Sequence, residues 1–285
     1  MTQLAVSSAF VEAPGAQLYV ESAGDRRRPV LLFIHAGIAH SAMWEPQFAE
    51  FARDHFVIRY DTRGFGKTET TNVAFSNRQD AIAVLDHFGV DKAVLIGCSR
   101  GGQIALDATI EFSDRVRALV SVCGGISGFA FEPDTSHPLF EITSQLFAEA
   151  EEAEEAEDWE RLTQLEARIW ADGLGQPEGR CRPEARDKVV AMCRFNYARL
   201  TPAGQPLQLD PPAAGRLSQV LAPTLIVLGE FDTPAAQLMA QALSRDIPHA
   251  RLEVMSNSAH VPSMEWPDAF NLVLRNFLAT LVGGS

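Results

Sequence analysis

The chain has 285 residues, 46% of them apolar, enough for one sizeable core with room for an inserted subdomain. Lys and Arg number 24 against 37 Asp and Glu, a net charge of −13 that argues against nucleic acid and anionic membrane surfaces as partners. No apolar run is long enough to span a bilayer, and the start lacks a basic region followed by an apolar one, so a cytoplasmic protein without a membrane partner is expected.

Residues 9–23 read as a hairpin turning at Pro14-Gly15. Val30-Leu31-Leu32-Phe33-Ile34 is a continuous apolar run, the pattern of a strand buried on both faces. A helical segment (Met43 to Arg53), strand Phe56–Tyr60, helix Asn77–Phe88, strand Ala93–Ile96, helix Gly102–Phe112 and strand Ala118–Val122 follow. This alternation predicts an α/β fold with a mostly parallel sheet covered by helices on both faces. The rhythm stops at Gly124-Gly125. From 126 to 216 the chain shows helical stretches broken by prolines and no good strand pattern. Within it, Trp159, Leu162, Leu165, Ile169 and Trp170 mark an amphipathic helix, and the acidic run from Glu149 to Asp158 reads as a solvated helix face. Strand 223–228, helix Ala235–Leu243, strand Arg251–Met255 and helix Ala269–Leu281 restore the alternation. The expected organisation is a core of 1–125 and 217–285 with a helical cap over 126–216. An insertion after a strand's carboxyl end lies where open α/β sheets bind ligands.

Gly97-Cys98-Ser99-Arg100-Gly101 is G-x-S-x-G between a buried strand and a helix. In that setting the serine sits on a strained turn with its hydroxyl above the sheet, and the helix start beneath it favours negative charge. A serine hydroxyl needs a base to take its proton, and the base needs a carboxylate to fix its tautomer. After Ser99 the chain supplies Asp232, following strand 223–228, and His260, following strand 251–255. Glu230 is a rival for the acid, and Asp232 also reads as a cap for the helix entered at Pro234. The backbone N–H groups of Arg100 and Gly37 are the expected oxyanion donors. Arg100's side chain reads as a structural ion pair or as a partner for an acidic substrate group. Cys98 adjoins the nucleophile, but strand alternation turns it into the core. With no C-x-x-C spacing, Cys98, Cys123, Cys181 and Cys193 read as free thiols in a reducing compartment. No spacing suggests a metal site, and no cofactor is expected. Gly66-Lys67-Thr68 fails as a phosphate loop, because Asp61 stands where that motif requires glycine.

On His35-Ala36-Gly37 through Trp44, Asp61–Thr68, the turn at Ser99 and the Asp232 and His260 loops, the chain resembles the α/β-hydrolase superfamily. The likeness is to its capped branch of esterases, lactonases and carbon–carbon bond hydrolases. It departs from the family's usual His-Gly at His35-Ala36, and from the glycine that often precedes the histidine at Ser258-Ala259. The resemblance implies a structural role for Asp61–Thr68. It also implies an acyl-enzyme mechanism on a small or medium carboxylic ester, with a lactone or a carbon–carbon bond beside a ketone as alternative substrates. Phe129, Phe140 and Trp170 are the candidate pocket residues, with Phe131, Leu139, Phe147 and Phe195 as further apolar side chains of the cap. Arg100, Arg194 and Arg199 are the cations that a carboxylate-bearing substrate would need. A slow-turnover receptor for a small ligand is the reading from another class.

Overall fold

The computed structural model describes residues 4–200 and 204–281; Pro202 and the first three residues lie outside them. Strands β1 (Val6–Ala13) and β2 (Ala16–Ala23) form the antiparallel hairpin, with Gly15 in the left-handed conformation that the turn requires (φ 72°). Then come β3 (Val30–Ile34), a 3₁₀ turn at Ser41–Trp44, α1 (Glu45–Phe51), β4 (Phe56–Tyr60) and two short strands, β5 (Glu69–Thr70) and β6 (Ala74–Phe75). The alternation continues through α2 (Asn77–His87), β7 (Ala93–Cys98), α3 (Arg100–Glu111) and β8 (Val116–Val122). The segment 126–216 carries α4 (Phe140–Glu155), α5 (Trp159–Glu166), a π-helical stretch at Ala167–Asp172, α6 (Pro183–Tyr197) and β9 (Gln205–Pro206). The chain closes with β10 (Thr224–Gly229), α7 (Pro234–Asp246), β11 (Arg251–Met255), α8 (Pro262–Glu265) and α9 (Pro267–Thr280).

The main sheet runs β1-β2-β4-β3-β7-β8-β10-β11, antiparallel through the hairpin and parallel from β4 onward, with β5 on the side of β2. The fold class is thus the expected one, a mostly parallel α/β sheet between helices. Alternate residues of the central strands feed two cores. Leu31, Phe33, Val94 and Ile96 face one layer of helices, and Leu32, Ile34, Ala93 and Leu95 face the other. Segment 126–216 holds one short strand that hydropathy does not announce. Gln205–Pro206 pairs with Ala74–Phe75, and two residues are too few to show alternation. The Asp61–Thr68 loop is braced by bonds within it and to the elements around it. The Asp61 carboxylate accepts the N–H groups of Ser41 and Lys67, and the buried Arg63 guanidinium grips Asp80 with two bonds of 2.8 Å.

From β3 the chain crosses to β4 on one side, and from β4 to β7 on the other. The loops leaving β3 and β7 therefore diverge at their carboxyl ends and leave a crevice between them. Ile34 pairs with Gly97 across these two strands, which sets the His35–Ala39 loop beside the turn at Ser99.

Candidate active site

Ser99 occupies φ 54°, ψ −117°, a conformation that L residues rarely adopt. It is held from several directions. Its N–H bonds Val122 O at 2.8 Å, while its carbonyl accepts from Gln103 at 3.0 Å and Gly125 at 3.2 Å. The turn closes only because its flanks are glycine. A Cβ on Gly97 would lie 2.0 Å from Gly101 O, and one on Gly101 would lie 2.3 Å from Ile34 O. Ser99 is the N-cap residue of α3, and the Arg100 N–H has no partner among the described residues. The Gly37 N–H likewise has none.

Asp232 and His260 meet on the other side. The Asp232 carboxylate accepts the His260 ring at Nδ1, at 2.8 and 2.9 Å, and also the Thr233 N–H at 2.7 Å. Both residues are buried. Asp232 is not the cap of α7. Thr233 takes that role through Ala236 N–H at 3.1 Å, leaving the carboxylate beside a helix start whose dipole suits its charge. Glu230 is exposed and accepts the Asn257 N–H at 2.8 Å, so it braces the histidine loop instead of orienting the ring. Among the described residues, His260 Nε2 has no hydrogen-bond partner, the Ser99 hydroxyl included. His260 and Ser99 nevertheless line one cavity of about 840 Å³.

The histidine loop is tied to the 126–216 segment by contacts that sequence reading missed. The His260 N–H bonds Trp170 O at 3.1 Å, and the Trp170 ring lies 4.5 Å from the imidazole. Arg180 donates to the carbonyls of Ala171 (2.6 Å), Asp172 (2.6 Å) and Asn257 (2.8 Å) and to the Glu265 carboxylate (2.5 Å), with its guanidinium over Phe231. Glu265, fully buried, accepts Ser258 Oγ and Ala259 N–H with its other oxygen. A charged residue in so apolar a stretch as 258–267 was the one signal available. Its partner lies 85 positions away in sequence.

Of the candidate pocket residues, Phe140 and Trp170 line the cavity, as do Phe131 and Phe147. Phe129 lies elsewhere: it packs on the core beside Ile126, because Gly128 turns the chain there (φ 72°). Leu139 packs with Leu146, Ile169 and Leu174, and Phe195 stands against His40. Among the described residues, Arg100 makes no ion pair. Its guanidinium donates to Thr62 Oγ1 (2.6 Å) and Asn77 Oδ1 (3.2 Å) and covers the Phe65 ring. Cys98 and Cys123 are buried, and burial pushes both thiols well above their usual range. Cys123 Sγ, Asp232 and His260 offer ligand atoms within 4.8 Å of one another. Two of these three are already committed to each other by a hydrogen bond, which argues against an ion between them.

A family model described as alpha/beta hydrolase fold matches residues 29–267. The chain is 26% identical to 3-oxoadipate enol-lactonase 2 of Acinetobacter baylyi over 87% of its own length and 88% of the relative's. It is 23% identical to the carboxylesterase YbfK of Bacillus subtilis over 94% of its length and 86% of that protein's. The solved structure of Est816, described as an N-acyl homoserine lactone degrading enzyme, superposes with a TM-score of 0.70 at 27% identity, covering 94% of this chain and 99% of that one. The sheet order, the strained serine turn and a match spanning most of the chain agree: this chain belongs to the α/β hydrolase fold family.

Proposed function

We propose that the chain is a serine hydrolase that cleaves carboxylic esters through an acyl-enzyme. The observation that carries the reading is the Asp232–His260 bond at Nδ1, which leaves Nε2 as the open nitrogen of a ring sharing its cavity with Ser99. In the proposed cycle the Ser99 hydroxyl turns toward Nε2. His260 then takes the proton as Oγ attacks the ester carbonyl, and Asp232 stabilises the imidazolium. The unpartnered N–H groups of Arg100 and Gly37 receive the oxyanion. Collapse of the tetrahedral intermediate passes the proton from His260 to the departing alcohol. Water, activated by the same ring, then attacks the acyl-enzyme and releases the acid. Segment 126–216 serves as the cap, and the setting is cytoplasmic.

The names of the relatives support this reading, since esterases and lactonases share one chemistry: a lactone is an internal ester and passes through the same cycle. A stoichiometric test is direct. A fluorophosphonate should label the wild type once per chain and fail to label Ser99→Ala, and a p-nitrophenyl ester should give a burst of about one equivalent under fast mixing if deacylation is slow. A wild type that takes no label and releases no nitrophenolate rejects the proposal.

A further inference from the structure

Ser99 and His260 share the cavity with a wall that is mostly apolar and comes from two directions, interrupted by polar side chains such as Gln103, Thr143, Ser144 and Gln241. Phe140, Phe147 and Phe131 come from the 126–216 segment, and Leu238 and Met239 come from α7. Phe131, Phe147 and Leu238 remain 41%, 40% and 45% exposed. Scattered singly, such residues mean little, but here three gather at one mouth, where an apolar ligand would cover them. Charge is distributed just as unevenly. Among the described residues lining the cavity, Arg100 is the one Lys or Arg, and its guanidinium is taken up by Thr62, Asn77 and Phe65. Arg194 is paired with Glu160 and Arg199 lies over Phe195, neither in the lining. Asp134, at the rim, is a carboxylate that hydrogen bonds from Ser136 hold below the ordinary range.

On the footing of the esterase reading, we infer that the substrate is a bulky ester whose portion inside the cavity is apolar and uncharged, and that esters or diketones bearing a carboxylate there are rejected. A carboxylate entering that wall loses water and finds no free Lys or Arg: His137, also in the lining, has its Nδ1 occupied by the Leu139 N–H, and Asp134 repels the charge. An uncharged chain or ring system of similar length instead covers Phe131, Phe147 and Leu238.

Three substrates separate the cases: p-nitrophenyl acetate, p-nitrophenyl octanoate and mono-p-nitrophenyl suberate. The last two have the same chain length and differ by a terminal carboxylate. The expected kcat/KM for octanoate exceeds that for suberate by more than tenfold and exceeds that for acetate. A smaller octanoate-to-suberate ratio, with acetate still cleaved, overturns the inference and leaves the esterase reading standing. If none of the three is cleaved, both fall. Leu238→Lys, which sets a cation at the mouth, should narrow the octanoate-to-suberate ratio severalfold, and an unchanged ratio counts against the inference.

Discussion

The turn that carries Ser99 is shaped by the glycines on either side of it and held by backbone atoms of β3, β8 and Gly125, whereas the loop that carries His260 is held by residues drawn from positions 170 to 265. Gly97, Gly101 and the start of α3 make the first conformation sterically accessible, and the backbone of β8 locks it. The second depends on Trp170 O, on Arg180 spanning both segments, and on Glu265 buried behind the loop. One half of the site is thus fixed by local backbone sterics, and the other by a long-range polar clamp. On the proposed mechanism, a change at the turn should remove chemistry outright, while a change at the clamp should misalign the proposed base while leaving it present.

The largest effect is expected at the turn. Ser99→Ala deletes the proposed nucleophile without enlarging any side chain at that strained position, and should lower kcat by about a millionfold. Asp232→Asn comes next. It removes the acceptor that keeps Nδ1 protonated and Nε2 free, and should cost about 10⁴ in kcat with KM little changed. Steady-state kinetics on p-nitrophenyl octanoate read both. Retention of more than a hundredth of wild-type kcat in either would show that the proposed triad does not carry the chemistry.

A smaller effect concerns His35, which belongs to the locally built half. Its Nε2 accepts the Thr62 N–H at 3.0 Å, so the remaining proton is on Nδ1, donated to Ala36 O at 2.7 Å. That carbonyl shares a peptide with the Gly37 N–H, so the ring fixes the direction of a proposed oxyanion donor. Burial, the largest influence, lowers the His35 pKa from 6.5 to about 4. Between those values the unfolded chain binds a proton that the folded protein refuses. Stability is therefore full above pH 6.5 and is lost as pH falls toward 4, by up to about 3 kcal/mol. Urea midpoints across that range check it, and His35→Asn should flatten this part of the profile.

The same division explains what could be read from residues alone. The strand rhythm, the G-x-S-x-G turn and the acid and histidine loops are short-range patterns with steric causes, so their positions were legible. Helix ends were less so: α3 begins at Arg100, two residues before the expected Gly102, because the strained serine itself serves as the cap residue. Phe129 packs on the core instead of lining the cavity, and of the two roles expected for the Arg100 side chain the ion pair does not form, because its guanidinium is used by Thr62 and Asn77 in other elements. Arg180 carried no signal of pairing, since an arginine in a loop rich in glycine and proline ordinarily reads as a solvated surface group, and the charge of Glu265 in an apolar stretch hinted at a partner without naming it.

The clamp therefore gives the sharpest test of the comparison, although its effect is the smallest. Glu265→Gln keeps an oxygen for Ser258 and Ala259 but removes the charge that Arg180 meets, and Arg180→Lys keeps charge but cannot reach three carbonyls and a carboxylate at once. If the pair only stabilises the fold, each variant should melt at lower temperature while kcat per folded molecule stays at the wild-type value. If it positions His260, kcat should fall about tenfold with KM within a factor of three, and fluorophosphonate labelling of Ser99 should slow in parallel, because that reaction also needs the ring in reach. About tenfold corresponds to about 1.4 kcal/mol, the scale of one misdirected hydrogen bond and far less than the loss of a reacting group. A tenfold slowing shared by kcat and labelling would mark the long-range half of the site as a positioning device. A fall in melting temperature alone would reduce it to packing.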